Sequence, residues 1–162
     1  MPIDIALAGA DRLDDLRDLW LALHRHHRAT AAPPVVADDE ASWQRRRATY
    51  SAWLASDEAL LLLATRDGRP VGYAMVHLLT GPDDTWPVGE RWAELYSLSV
   101  AADDRNHGVG GQLLDRVDEE LDRLGIGDLQ VAVMVGNAAA QRLYERRGFR
   151  PGEVVLYRFG RG

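Results

Sequence analysis

Apolar and polar residues alternate at the start of the chain and then change to helical spacing. Residues 3–8 alternate as in a short strand, and Asp11 is the predicted N-cap of the helix that follows. That helix ends before the Ala-Ala-Pro-Pro stretch at 31–34, and its apolar stripe consists of Leu13, Leu16, Trp20, Leu23 and His27. A second helix is predicted from 38–40 to about residue 55.

In the rest of the chain, strand patterns alternate with helical ones. Two apolar runs at 59–65 and 71–79 flank Asp67-Gly68-Arg69-Pro70, which predicts a β-hairpin. A further strand is predicted at 92–100 and a strongly amphipathic helix at 108–124. The last three predicted elements are a strand at 129–135, a helix at 137–147 and a terminal strand at 154–159.

This order of elements predicts an α/β (α+β) fold built on one mixed sheet. The first half of the sheet is expected to be antiparallel, and the helix at 108–124 is expected to form the crossover to a parallel strand. The chain has 162 residues, of which 46% are hydrophobic, so it can bury one sizeable core. We therefore expect a single domain over residues 1–162.

Charge and cysteine content exclude several classes of protein. The net charge of −6 argues against a nucleic-acid-binding surface, which needs a basic face. The chain has no cysteine, so any acyl transfer cannot pass through a cysteinyl thioester, and a thiol has to come from a cofactor. The N-terminus lacks the pattern of a secretory signal, and the apolar run at 59–64 is too short to span a bilayer. We expect a soluble cytoplasmic protein without a membrane partner.

The loop Arg105-Asn106-His107-Gly108-Val109-Gly110-Gly111 lies between a predicted strand and a predicted helix. Its glycines let the backbone approach a ligand closely, and the amide groups of the first helical turn suit an anion such as a pyrophosphate. A Walker A loop is excluded because the chain has no lysine, and a dinucleotide fingerprint is excluded because Leu113 stands where a third glycine is required. A flexible turn that only caps the helix is the alternative.

Two motifs resemble those of the GNAT superfamily of N-acetyltransferases. The first is the family's Arg/Gln-x-x-Gly-x-Gly/Ala loop, matched here by Arg105, Gly108 and Gly110. The second is an Asn-x-x-Ala-x-x-Leu-Tyr-x-x-x-Gly-Phe segment, which is matched position for position by Asn137, Ala140, Leu143, Tyr144, Gly148 and Phe149. The predicted element order also agrees with the family's fold along essentially the whole chain, so the chain is identified as a GNAT protein.

The resemblance implies a GNAT fold, with a mostly antiparallel mixed sheet that is splayed between its fourth and fifth strands. It implies acetyl-CoA as co-substrate and no metal. The cofactor's pantetheine arm would lie along Leu98, Ser99 and Val100, and its pyrophosphate would lie on the loop from Arg105 to Gly111, which includes Asn106, His107 and Val109. Asn137 and Tyr144 would complete the cofactor site, and a backbone N–H near Leu98 would stabilise an oxyanion.

Tyr144 and Glu94 are the candidate catalytic residues. Asn137, Ala140 and Tyr144 share one helical stripe, and the lean of helical side chains carries the Tyr144 hydroxyl toward the place where the family has the cofactor's sulfur. Tyr144 is therefore the candidate general acid. Glu94 lies an even number of residues from Tyr96 and Leu98, so its side chain is expected on the same face of the strand. Members of the family often have a catalytic Glu on this stretch, and Glu94 is therefore the candidate base. A core tyrosine and a solvated carboxylate are the alternatives.

Two further groups of residues are candidates for the acceptor side. His24, His26 and His27 lie with Arg25 and Arg28 at the end of the first helix, where a solvated helix end or a border of the acceptor pocket is favoured over a metal site. Trp86 lies beside Asp83 and Asp84 in a loop, and this combination suits a cationic amine.

The sequence thus predicts an N-acetyltransferase that passes the acetyl group of acetyl-CoA directly to a primary amine of a small molecule, peptide or protein. The acceptor is not identified by the sequence. The alternatives are a CoA-sensing or interaction module without chemistry and an enzyme that uses a longer acyl donor. A homodimer is compatible with the resemblance, since dimers are common among similar proteins.

Overall fold

The computed structural model describes residues 2–160 of the chain. Within these residues the strands are β1 (Asp4–Ala8), β2 (Ala59–Arg66), β3 (Arg69–Thr80), β4 (Arg91–Val100) and β5 (Leu129–Val131). The α-helices are α1 (Arg17–Thr30), α2 (Asp39–Ala55), α3 (Val109–Arg123) and α4 (Ala138–Arg146). A 3₁₀-helix, Ala10–Leu16, runs directly into α1.

One mixed sheet in the order β1-β2-β3-β4-β5 organises the described residues. The first four strands pair antiparallel, and β4 pairs parallel with β5, with α3 in the connection between them. The β2–β3 hairpin turns at Asp67 and Gly68, whose φ angles of 52° and 76° match the twist of the two strands. The prediction of a mixed sheet with a parallel crossover at the glycine loop is confirmed.

The two faces of the sheet bury separate hydrophobic clusters. Alternate residues of β2, such as Leu62 and Ala64, face α3 and α4 on one side. The residues between them, such as Leu61 and Leu63, face the 3₁₀-helix, α1 and α2 on the other. Because strand side chains alternate between faces, a continuous apolar strand such as β2 is expected when helices cover both sides.

A β-bulge interrupts β4 at Tyr96. Met75 pairs with Ser97 and the next residue of β3, Val76, pairs with Leu95, so Tyr96 has no partner on β3. A bulge adds one residue to a strand and therefore reverses the alternation of its side chains beyond that point. Pairing of β4 with β5 also stops here, at Leu95 with Val131. Beyond Leu95 the two strands separate, which is the splayed arrangement expected from the sequence.

Three local predictions are wrong. Asp11 is not the N-cap of the first helix, because Gly9 occupies that position and no side chain caps it. The strand predicted at 129–135 ends at Val131, where its partner strand bulges away. The predicted terminal strand at 154–159 forms no strand in the structure, and its large apolar side chains are exposed. Apolar alternation alone does not provide the backbone partner that a strand requires.

Candidate active site

A cavity of about 80 Å³ opens where β4 and β5 separate. Its walls come from α1, the bulge of β4, the segment after β5, and α4. The lining residues are Leu23, His27, Tyr96, Ser97, Leu98, Val131, Ala132, Val133, Met134, Asn137, Ala140 and Tyr144. Three residues predicted for the site from the sequence, Leu98, Asn137 and Tyr144, thus meet in one cavity.

The backbone groups of Leu98 point into the opening between the strands. Ala101 donates its N–H to the carbonyl of Val71 at 2.8 Å, which fixes the hydrogen-bonding direction of the β3–β4 ladder. Because this direction alternates along an antiparallel pair, Ser99 also bonds toward β3, whereas Leu98 and Val100 point away from it. On that side β5 has ended its pairing, so an extended ligand can add to this edge as another strand would.

Tyr144 reaches the cavity from α4, which is capped by Asn137. The Asn137 side chain accepts a hydrogen bond from the N–H of Ala140 at 3.3 Å and so begins the helix that carries Tyr144. Tyr144 is 8% exposed, and its ring packs edge-on against Phe149 at 5.5 Å between centroids. Burial raises the pKa of the Tyr144 phenol to about 12. The hydroxyl therefore stays protonated at neutral pH and can donate a hydrogen bond.

A buried cluster of hydroxyl groups lies behind the cavity wall at Ser97. The Ser97 hydroxyl donates to the Tyr73 hydroxyl at 3.0 Å and also contacts the Tyr50 hydroxyl. Ser97 and both tyrosines are buried. Because this cluster joins β3, β4 and α2, it holds the bulged part of β4 in a defined position.

The structure corrects the expectation that Glu94 and Leu98 lie on the same face of the sheet. The bulge at Tyr96 puts Glu94 on the face opposite to that of Leu98, since Leu95 and Leu98 both pack into the cluster under α3. Glu94 pairs across the sheet with His77 and is not among the residues that line the cavity. Partial burial raises the pKa of the Glu94 carboxyl. Glu94 therefore lies outside the cavity lining, on the face of the sheet where its partner His77 stacks on Trp53 of α2.

The glycine loop leads into the N-terminus of α3, which no side chain caps. Its backbone is left-handed at Asn106, with φ of 61°, and at Gly108, with φ of 82°. No side chain caps the first turn of α3, and a Cβ added at Gly111 would meet no atom within 4 Å. The amide groups of this turn are thus open to an anion, and the loop fits a pyrophosphate. His107 is exposed, and Arg105 donates from Nε to the carbonyl of Val100 at 3.1 Å.

Asp104 anchors the loop to the β2–β3 hairpin. Its carboxylate is 1% exposed and lies 2.6 Å from the guanidinium of Arg66 and 3.5 Å from that of Arg69. A buried carboxylate is stable only with such partners. The position of the glycine loop is therefore set by a contact that the loop motif itself does not contain.

The structure limits how two of the predicted cofactor residues could contact a ligand. The Ser99 hydroxyl donates to the carbonyl of Leu19 at 2.8 Å, and the backbone of Ser99 bonds toward β3, so Ser99 faces away from the opening. The side chain of Val109 is buried in the core under α3, which leaves only its backbone for a ligand.

Residues from α1 and from the segment after β5 complete the cavity, and of these the sequence analysis named only His27 as a candidate for the acceptor side. Of the histidine cluster, His27 lines the cavity, whereas His24 is buried and bonds to the carbonyl of Val36 at 2.8 Å.

Trp86 lies outside the cavity, against Gly152, and is 42% exposed. Within residues 2–160, no group of three or more His, Asp or Glu is placed to hold a metal ion.

The chain belongs to the acetyltransferase (GNAT) family, whose sequence profile matches residues 14–149. It is 36% identical over 137 residues to the ribosomal protein bS18 alanine N-acetyltransferase of Escherichia coli strain K12, covering 85% of this chain and 78% of that protein. It is 32% identical over 142 residues to the mycothiol acetyltransferase of Brachybacterium faecium, covering 86% of this chain. The chain spans only 40% of the length of that second relative.

Solved structures share the fold. A GCN5-related N-acetyltransferase from Ralstonia eutropha superposes with a TM-score of 0.79 at 18% identity, covering 98% of this chain and 99% of that one. An aminoglycoside N-acetyltransferase in complex with CoA superposes with a TM-score of 0.74 at 21% identity, covering 99% and 96% of the two chains. The GNAT fold predicted from the sequence is thus confirmed. Among residues 2–160, the helices are all too short or too polar to cross a membrane.

Proposed function

We propose that this protein is an N-acetyltransferase that passes the acetyl group of acetyl-CoA directly to a primary amine. The observation that carries this proposal is the cavity at the separation of β4 and β5, where a free strand edge at Leu98 and the side chain of Tyr144 line the same space. The family and the acetyltransferase relatives support it. Because the chain has no cysteine, the acetyl group goes to the amine without a cysteinyl intermediate.

The residues around the cavity have distinct proposed roles in holding the co-substrate, which supplies the activated thioester. The edge of β4 at Leu98 and Val100 holds the extended arm, and the Leu98 N–H polarises the thioester carbonyl. The loop from Arg105 to Gly111 holds the pyrophosphate through backbone amides. Asn137 orients the helix that carries Tyr144.

Tyr144 is proposed to donate a hydrogen bond to the departing sulfur. With a pKa of about 12 against about 8.5 for a thiol, complete proton transfer from the phenol to a thiolate is unfavourable by about 5 kcal/mol. A charge-assisted hydrogen bond requires no such transfer and is stronger in the dry environment around Tyr144. The thiolate then takes its proton from solvent after release.

The amine has to lose a proton before it can attack. Glu94 is the proposed acceptor of that proton through water, because its partial burial raises its pKa toward the range of a useful base. His27 is closer to the chemistry, since it lines the cavity itself. Burial, followed by the neighbouring His26, His24 and Arg46, lowers the pKa of His27, which favours the neutral ring that can accept a proton.

Release of free thiol from acetyl-CoA in the presence of an amine panel tests the proposal. The panel includes amino acids, peptides with a free N-terminus, polyamines and aminoglycosides. Turnover with one class and not the others supports the proposal and identifies the acceptor. Tight binding of acetyl-CoA without transfer to any amine contradicts it and supports a CoA-sensing module. Turnover with succinyl-CoA but not with acetyl-CoA identifies a longer acyl donor.

The proposed partner, besides the amine, is a second copy of this chain. Residues 154–159 are apolar except for Arg158, exposed and without a strand partner, and Leu156 is 88% exposed. A large exposed apolar segment is a typical interaction surface, and addition to a sheet edge is one way to cover it. Light scattering of the intact chain and of Leu156→Asp tests this. A monomer in both cases contradicts the dimer. The cytoplasmic location expected from the sequence stays a prediction.

A further inference from the structure

Arg46 of α2 lies among three aromatic rings. Its guanidinium carbon is 4.7 Å from the ring centre of Tyr96, 5.4 Å from that of Trp20 and 5.6 Å from that of Tyr50. Aromatic faces attract a guanidinium and hold it in a fixed position without neutralising its charge. Arg46 is thus a positioned cation in a partly buried setting.

No carboxylate balances this charge. Among residues 2–160, no Asp or Glu oxygen lies within 4.0 Å of the Arg46 guanidinium. Its neighbours differ, because Arg47 is paired with Asp14 at 2.8 Å, and Arg28 with Asp39 at 2.8 Å. A partly buried cation without a counterion is uncommon, because removing it from water is costly unless a partner compensates.

The hydrogen-bonding capacity of Arg46 is also largely unused. A guanidinium has five N–H donors, and the bond found here joins Nη1 to the Tyr50 hydroxyl at 3.4 Å. Within residues 2–160, Nε and Nη2 of Arg46 are not among the fully buried side-chain atoms that lack a hydrogen bond, so both nitrogens keep some exposure to solvent.

Arg46 is linked to the candidate active site through Tyr96 and is not itself a lining residue of the cavity. Tyr96, the aromatic ring closest to the guanidinium, also lines the cavity. His27 lines the same cavity, and its pKa is lowered first by burial and then by its neighbours His26, His24 and Arg46. Arg46 thus places one positive charge near this end of the cavity, although the chain as a whole has a net charge of −6.

We propose that Arg46 binds a carboxylate of the acceptor, so that the natural acceptors are amines carrying a carboxylate close to the amino group, as amino acids do. The inference rests on the proposed acetyl transfer and specifies its substrate class. A planar guanidinium matches a carboxylate through two parallel hydrogen bonds, and the partly dry setting strengthens them. Polycationic amines are disfavoured, because they would meet Arg46 without a counterion.

The loop around Trp86 does not offer a competing site for a cationic amine within this cavity. The Asp83 carboxylate accepts hydrogen bonds from the backbone N–H groups of Thr85 at 2.8 Å and Trp86 at 2.9 Å, so it is used in the turn. The Trp86 ring packs on Gly152 and is absent from the lining of the cavity. The Trp86 loop is therefore not part of the lining of this cavity.

Matched acceptors test this proposal. Each L-amino acid is assayed beside its carboxamide and its decarboxylated amine, with thiol release as the readout. The expected kcat/KM is about 10- to 100-fold higher for the acid than for either analogue, as is typical when a charge-assisted pair is lost. Arg46→Met is expected to remove this preference and to raise KM for the acid, with CoA affinity unchanged.

Two further variants separate this effect from loss of folding or of general charge. Arg45 is exposed and adjacent to Arg46 in the sequence. Arg45→Met therefore removes one positive charge without changing the three aromatic rings around Arg46, and it is expected to keep the preference for the acid over its analogues. Arg46→Lys keeps the charge but not the paired donors, and an intermediate preference is expected even if Arg46→Met unfolds.

The outcomes distinguish the two proposals. Turnover of carboxamides and simple amines at least as good as that of the acids, unchanged in Arg46→Lys, overturns the role of Arg46 and leaves the acetyltransferase proposal standing. Absence of turnover with every amine, with CoA still bound, contradicts both proposals.

Discussion

The hydroxyl of Ser99 on β4 donates a buried hydrogen bond to the backbone carbonyl of Leu19 on α1, at 2.8 Å. This bond joins the strand that carries Leu98 to the helix that carries His27, and both of those residues line the cavity. The acceptor side of the proposed site therefore depends on a contact that lies behind the strand. Ser99 positions the site without touching a ligand.

Ser99→Ala is expected to lower the free energy of unfolding by about 1 kcal/mol, since one buried hydrogen bond is lost. It is also expected to raise KM for the amine several-fold while the affinity for CoA stays the same, because α1 moves and the loop at α3 does not. Chemical denaturation and steady-state kinetics measure the two effects. An equal loss of both affinities would contradict this separation.

Tyr144→Phe removes the hydroxyl and keeps the ring that packs on Phe149. We expect kcat to fall about 10- to 100-fold and the affinity for CoA to change little, because the proposed hydrogen bond forms with the departing sulfur. Since the phenol pKa is about 12, no limb of the rate profile below pH 10 is expected from Tyr144. An unchanged kcat in Tyr144→Phe would remove this residue from the mechanism.

The pH dependence of kcat reports the proton acceptor. A base works in its deprotonated form, so burial of Glu94, which raises its pKa, is expected to move the acidic limb above the ordinary range of a glutamate. Glu94→Gln is expected to abolish that limb and lower kcat. If the limb persists in Glu94→Gln and disappears in His27→Asn, His27 is the acceptor and the role of Glu94 is withdrawn.

Gly108→Ala tests the glycine loop against a control within the same helix turn. Gly108 has a φ of 82°, so a Cβ there is strained, and a loss of about 1 kcal/mol in stability is expected together with weaker CoA binding. Gly111 lies inside α3, where an added Cβ meets no atom within 4 Å. Gly111→Ala is therefore expected to leave stability unchanged or slightly higher. Calorimetry with CoA and thermal melts compare the two variants. Equal effects would contradict the proposed strain.

Local features of the sequence predicted most of the elements. The pattern around Asp67 and Gly68 predicted the hairpin, because a two-residue turn needs residues that accept a positive φ. The stripe beginning at Leu113 predicted α3, and Asn137 predicted the start of α4. These signals depend on residues a few positions apart, so they can be read without the fold.

The bulge at Tyr96 shows what such patterns miss. Strict alternation places Glu94 and Leu98 on one face, but the extra residue in β4 separates them. The bulge depends on how β3 pairs with β4, and that pairing is set by residues more than 20 positions apart, such as Met75 and Ser97. The same limit applies to residues 154–159, whose alternation is typical of a strand but whose partner is absent from residues 2–160.

The sequence by itself determined the family, the element order up to α4 and the glycine loop, because motif residues and periodicity are local properties of the chain. Only the tertiary structure decided that His27 and Tyr96 share a cavity with Leu98 and Tyr144, and that Arg46 packs on Tyr96 without a carboxylate partner. These relationships join α1, α2, β4 and α4, which meet only after the sheet has formed. Their physical origin is packing between distant segments, which no spacing along the chain records.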